Sequence, residues 1–137
     1  MKLHSTNYYN TFILVADDCP VSKAEIPAVK NDTRTAAVIQ FELVSKHPYK
    51  YTSDDVLFQV FAEKKDLTKA EFKHAREAFF SKGQACLRAS PLTKRYGWGV
   101  HSNAEGKIAI FACESPHYEK LAADKKLKVV KAMKSSR

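Results

Sequence analysis

A change of hydrophobic period at Pro91 constrains this chain more than any other feature. Before it, Thr68-Lys69-Ala70-Glu71 has the pattern of a capping box. Phe72, Ala75, Phe79 and Phe80 then fall on one helical face, with Gly83 as the expected C-terminal stop. After it, Lys94 to Ser102 reads as a strand containing Gly97 and Gly99, Asn103-Ala104-Glu105-Gly106 as a hairpin turn, and Lys107 to Cys113 as a second strand with Ile108, Ile110 and Ala112 on one face. Helices and hairpins kept in separate stretches imply an α+β fold, because a doubly wound sheet needs regular βαβ alternation. A length of 137 residues favours one domain over 1–137.

The remaining segments fit that frame. Tyr9 to Ala16 is β-branched and aromatic and ends at the turn-forming Asp17-Asp18-Cys19-Pro20, so it is expected to be a largely buried strand. Residues 17 to 32, with Pro20 and Pro27, form a long connection. Asp32 or Thr33 can cap a helix carrying Ala36, Ile39 and Leu43 beside Ala37, Phe41 and Val44, although strand alternation at 37, 39, 41 and 43 fits the same residues. Ser53 followed by Asp54 and Asp55 predicts a helix start, with Val56, Leu57, Val60 and Phe61 buried. Ser115-Pro116 opens a short helix through Ala123, and Leu127, Val129 and Val130 suggest a last strand or short helix before a frayed basic terminus, 125–137. The expectation is a small, mainly antiparallel sheet of 9–16, 94–102 and 107–113 packed against three to four helices. Phe12, Leu14, Val60, Phe61, Phe72, Phe79, Ile108 and Ile110 are its expected core.

Charge narrows the partners. The chain is basic, with 23 Lys and Arg against 15 Asp and Glu for a net charge of +8. The excess is concentrated in two acid-free segments: Ala78 to Ala104, with Lys82, Arg88, Lys94 and Arg95, and Lys125 to Arg137, with Lys125, Lys126, Lys128, Lys131, Lys134 and Arg137. Such blocks attract phosphates, small anions, nucleic acid or acidic protein surfaces, and they also serve as solubilising surface. No run is long enough to span a bilayer and the N-terminus turns polar early, so neither a membrane partner nor a signal peptide is expected. Cys19, Cys86 and Cys113 cannot all pair within one chain and lack zinc-ribbon spacing, which points to reduced thiols and a cytoplasmic location.

The segment from Cys86 to His101 is the densest in chemistry. Arg88, Lys94, Arg95, Tyr96, Trp98 and His101 are the candidate ligand-binding residues, because glycines on both sides of Trp98 let another group approach the indole while the cations supply charge-assisted hydrogen bonds. The competing reading makes Trp98 a core residue, the glycines a bulge, and the cations decoration on a hairpin. Cys86 or Ser90 with His101 is the local combination that nucleophilic catalysis would need, yet no cysteine or serine signature surrounds it. His101, Cys113 and His117 are the best set for a metal, but a C-x3-H spacing alone assigns none. Helix capping accounts for Asp54 and Asp55 without a cation shared with Glu42, and no cofactor signature is present.

Three strings carry a resemblance: Pro48 to Phe58, the Cys86 to His101 segment with its SPLTKRYGWG core, and Lys131 to Ser135. Over almost the whole chain the sequence resembles a family of small, mostly bacterial uncharacterised proteins, a domain of unknown function. The resemblance implies no activity and transfers no catalytic residue. A looser likeness, to small α+β DNA-binding-like domains, rests on the hairpin ending in Gly106-Lys107-Ile108-Ala109 and the helix after it. A non-enzymatic binding module for an anionic ligand, nucleic acid or an acidic protein surface leads the functional classes. An enzyme acting on a phosphorylated or acyl substrate at 86–101 and a structural or oligomeric partner protein follow.

Overall fold

The computed structural model describes residues 3–29 and 31–135, and it is built around one short central strand. That strand, β1 (Thr11–Leu14), lies between β2 (Trp98–Ser102), antiparallel to it, and β4 (Lys128–Lys131), parallel to it; β3 (Ile108–Ala112) completes the sheet in the order β3-β2-β1-β4. The chain therefore forms a mixed sheet of four strands. Leu127, Val129 and Val130 take the strand alternative, since β-branched residues fit a pleated surface. Among the described residues there are five α-helices: α1 (Ala36–Lys46), α2 (Ser53–Lys64), α3 (Phe72–Phe80), α4 (Pro91–Lys94) and α5 (Pro116–Ala122). Met1, Lys2, Lys30, Ser136 and Arg137 lie outside the description, so Arg137 of the basic terminus does too.

Capping chemistry corrects several expected boundaries. Thr35, and neither Asp32 nor Thr33, caps α1 by accepting from the Val38 amide, and Thr52 rather than Ser53 caps α2 in a reciprocal box with Asp55. Asp54 is thereby released to hold the N-terminal segment, accepting from the Ser5 hydroxyl and from the Thr6 amide and hydroxyl. The box at Thr68 and Glu71 forms as read, opening a single 3-10 turn before α3; Ser81 rather than Gly83 caps the far end. Lys94 to Gly97 is not strand. Ser90 accepts from the Leu92 amide and Pro91 takes the first helical position, so the Ser-Pro signal that starts α5 also starts α4.

The apolar side chains form two clusters. Ile13, Val100 and Ile108 from one face of the sheet pack on Val44 and Val56 of α1 and α2 and on Leu87. The other cluster joins α2 to α3 through Phe58, Ala62 and Phe80, flanked by half-buried Phe61, Phe72 and Phe79. Of the expected core, Phe12, Val60 and Ile108 are buried, while Leu14, Phe61, Phe72, Phe79 and Ile110 keep partial exposure. Of these five, Phe61, Phe72 and Phe79 belong to the phenylalanine cluster, which explains why a single core is expected from the sequence: periodicity reports the face that is buried and is silent on what buries it.

Candidate functional site

Side chains alternate along a strand, and β2 applies that rule to the expected site. Trp98 and Val100 face α1, where the indole packs on Phe41 with ring centroids 5.2 Å apart. Gly99 and His101 face the opposite side, where Tyr118 of α5 covers Phe12 edge-on at 5.1 Å. Trp98 and His101 are therefore on opposite faces of the sheet and cannot contact one small ligand together.

The remaining candidates separate further. Glu25 donates its amide to the Tyr96 carbonyl at 2.9 Å, and the Trp98 indole N–H donates to the Glu25 carbonyl at 2.8 Å. Tyr96 and Trp98 thus pin the long connection as a strap across the end of the sheet. Gly97, at φ +80°, is crowded by Val21 and Ala24 of that strap, and a Cβ on Gly99 would sit 2.6 Å from the Phe12 ring and 2.7 Å from Tyr118. Both glycines admit protein groups. Arg88 donates from Nε to the Lys131 carbonyl at 2.7 Å and accepts from the Met133 amide at 2.8 Å, clipping the C-terminal segment to the 3-10 turn Leu87–Ala89. Lys94 and Arg95 stay together, away from Trp98 and His101, beside a shallow 180 Å³ depression with Ala89 and Pro91.

The nucleophile and base pairings do not assemble. The Ser90 hydroxyl donates to Gln40 Oε1 at 2.5 Å, Cys86 Sγ lies 3.3 Å from the Tyr8 hydroxyl, and His101 Nδ1 meets the Tyr49 hydroxyl at 2.8 Å. Burial lowers the His101 pKa from its ordinary 6.5, against a small opposing pull from Asp124. His117 stacks on Phe111, and Cys113 Sγ contacts the Ser22 carbonyl, its thiol pKa raised first by burial and then by Glu114. His101, Cys113 and His117 therefore have separate partners. Glu42 pairs with Arg34 and Asp55 with Arg76, so those acids have separate partners as well.

A different region offers a concave site. Between α1, α2 and α3 lies a cavity of about 390 Å³, inside the size range of small-molecule sites. Leu43, Phe58 and Phe72 form its apolar walls, and Tyr51, Asp55, Gln59, Lys73 and Arg76 place polar groups around them. Arg76 organises the site. Its guanidinium lies over the rings of Phe58 at 5.7 Å and Phe80 at 5.5 Å, and Nη2 donates to Asp55 Oδ1 at 2.9 Å. Asp55 is in turn fixed by the α2 capping box. Arg76's other N–H donors, the Tyr51 hydroxyl, the Gln59 amide and the Lys73 ammonium have no hydrogen-bonding or ionic partner among the described residues. Sequence reasoning missed this set by treating Asp55 as a cap alone. The usable signal was spacing: Asp55 and Gln59, like Phe72 and Arg76, are four apart and share a helix face.

Among the described residues no helix is long and apolar enough to cross a membrane. No curated protein and no solved structure matches the chain. A family model does match, over residues 3–137, and by that match the chain belongs to a family of unknown function, DUF6157.

Proposed function

We propose that the protein is a non-enzymatic binding module that takes a small anionic ligand in the cavity between α1, α2 and α3. The observation that carries this reading is Arg76, a guanidinium held between two aromatic rings and one carboxylate with unused donors at an apolar cavity. Ordering a long cation normally costs side-chain entropy on binding, and much of that cost is already met by the folded state. Lys73 adds a second cation, while Tyr51 and Gln59 offer neutral hydrogen bonds that can orient a bound molecule. Three free cysteines favour the cytoplasm as the compartment.

The test is calorimetric titration with a panel of small carboxylates and phosphates. Arg76→Met should weaken any hit by about tenfold or more, the loss of one charge-assisted hydrogen-bonding group. Trp98→Ala should leave affinity unchanged. A hit lost with Trp98 and retained with Arg76→Met would return the site to the 94–101 segment and to Lys94, Arg95, Tyr96 and His101.

A second reading, electrostatic association with nucleic acid, is favoured by the exposure of Lys125, Lys126, Lys128, Lys131 and Lys134 around β4, of which Lys131 alone has an acidic partner among the described residues, Asp17. Deleting 125–137 cannot test it, because the deletion removes β4 and the buried Ala132. Replacing Lys125, Lys126 and Lys134 by Gln should reduce oligonucleotide binding and its salt dependence together. Unchanged binding would remove this reading.

A further inference from the structure

We infer that the α1–α2–α3 cavity selects monoanions, specifically carboxylates with an apolar or aromatic body, against phosphate monoesters of the same body; this rests on reading the cavity as a ligand site. Charge around the cavity is nearly balanced. Lys73 and Arg76 supply two cations, Asp55 supplies one carboxylate within the cavity, and Glu77 supplies another beside the same two cations in an adjoining 260 Å³ cavity closed by Leu3 and Phe80. Attraction to the cations grows linearly with ligand charge, whereas the cost of removing an ion from water grows with its square. A carboxylate entering here needs one compensating charge, which Arg76 and Lys73 provide even while Asp55 holds part of the guanidinium. A phosphate monoester, close to two negative charges at neutral pH, would meet two carboxylates with no third cation to balance them. Phe58, Phe72 and Leu43 on the walls then define the rest of the ligand as apolar.

Two pairs of similar body that differ in the anionic group test this: octanoate against octyl phosphate below its micellar concentration, and 3-phenylpropionate against benzyl phosphate. Calorimetric titration at pH 7.5 should give the carboxylate of each pair a dissociation constant at least about tenfold lower. At pH 5.5 the gap should narrow, because the second phosphate ionisation, near pH ~6, is partly reversed there. Glu77→Gln, an exposed change that leaves the Arg76–Asp55 pair in place, should narrow it at pH 7.5 by strengthening phosphate binding. Equal or tighter phosphate binding that still depends on Arg76 overturns the selectivity and leaves the cavity as a site. Binding of neither class, or binding indifferent to Arg76→Met, overturns the cavity reading itself.

Discussion

The two sides of the molecule use aromatic and cationic residues in opposite ways. On the sheet side, the Trp98 indole and the Arg88 guanidinium donate to the backbone carbonyls of Glu25 and Lys131, and the Tyr96 and Arg88 carbonyls accept from the amides of Glu25 and Met133. On the helical side, Arg76 touches two phenylalanine rings and one carboxylate, and the space next to it stays open. An aromatic beside a cation is thus a fastening in one region and a lined cavity in the other. What separates them is whether the groups are met by protein, which residue type alone does not report.

The largest expected difference is in stability. Phe12 is 0% exposed in the middle of the sheet, so Phe12→Ala should cost about 3–5 kcal/mol by denaturant unfolding. Phe72→Ala, at a half-buried wall of the cavity, should cost clearly less and should weaken carboxylate binding. Equal costs would mean that the cavity wall is packed as tightly as the sheet face under α5. Next in size is Gly99→Ala, whose added Cβ collides with Phe12 and Tyr118 and should destabilise by roughly 1–3 kcal/mol. Gly83→Ala, with open space around its Cβ position, is the matched control and should be close to neutral. A neutral Gly99→Ala would show that the sheet face under α5 is loosely packed and would reopen it to a ligand.

These variants also mark where the sequence was legible. Local rules delivered β1, the hairpin at 98–112 and the Thr68–Glu71 capping box, because Asn103, Gly106, Thr68 and Glu71 act within a few residues of themselves. Asn103 Oδ1 accepts from the amides of Glu105 and Lys107, and Gly106 takes φ +80°. Long-range facts were not legible. Nothing local tells that β4 pairs parallel with β1, more than a hundred residues away, or that Val21 and Ala24 fill the space above Gly97. The candidate site residues are dispersed for the same reason. Of the six, Trp98 and His101 lie on opposite faces of the sheet and Arg88, Lys94, Arg95 and Tyr96 on the turns and short helix before it, while the cavity assembles Leu43 with Arg76 from different helices. Alternation at Lys94 favours strand, but the Ser90-Pro91 helix start, the same signal as Ser115-Pro116, overrides it.

The smallest expected effect is a pH slope. His101 has a folded-state pKa below its ordinary 6.5, chiefly through burial, with Tyr49 on its Nδ1 and Asp124 pulling the other way. The unfolded chain therefore takes up the proton first. The His101 contribution to stability is constant above about pH 6.5 and is lost as pH falls from there through the lower folded value. His101→Gln should remove that part of the slope between pH 7.5 and pH 5 in urea unfolding and leave carboxylate affinity unchanged. A slope that survives the substitution would assign it to other groups, and a loss of affinity would tie the two regions together.

The most direct measurement is a two-dimensional amide NMR titration of the ¹⁵N-labelled protein with 3-phenylpropionate. Saturable shifts should concentrate at Leu43, Tyr51, Asp55, Gln59, Phe72 and Arg76, with Tyr96, Trp98 and His101 unmoved. Shifts centred on 94–101 would contradict the cavity and restore the tryptophan segment as the site, and a spectrum unchanged at millimolar ligand would contradict anion binding at the cavity.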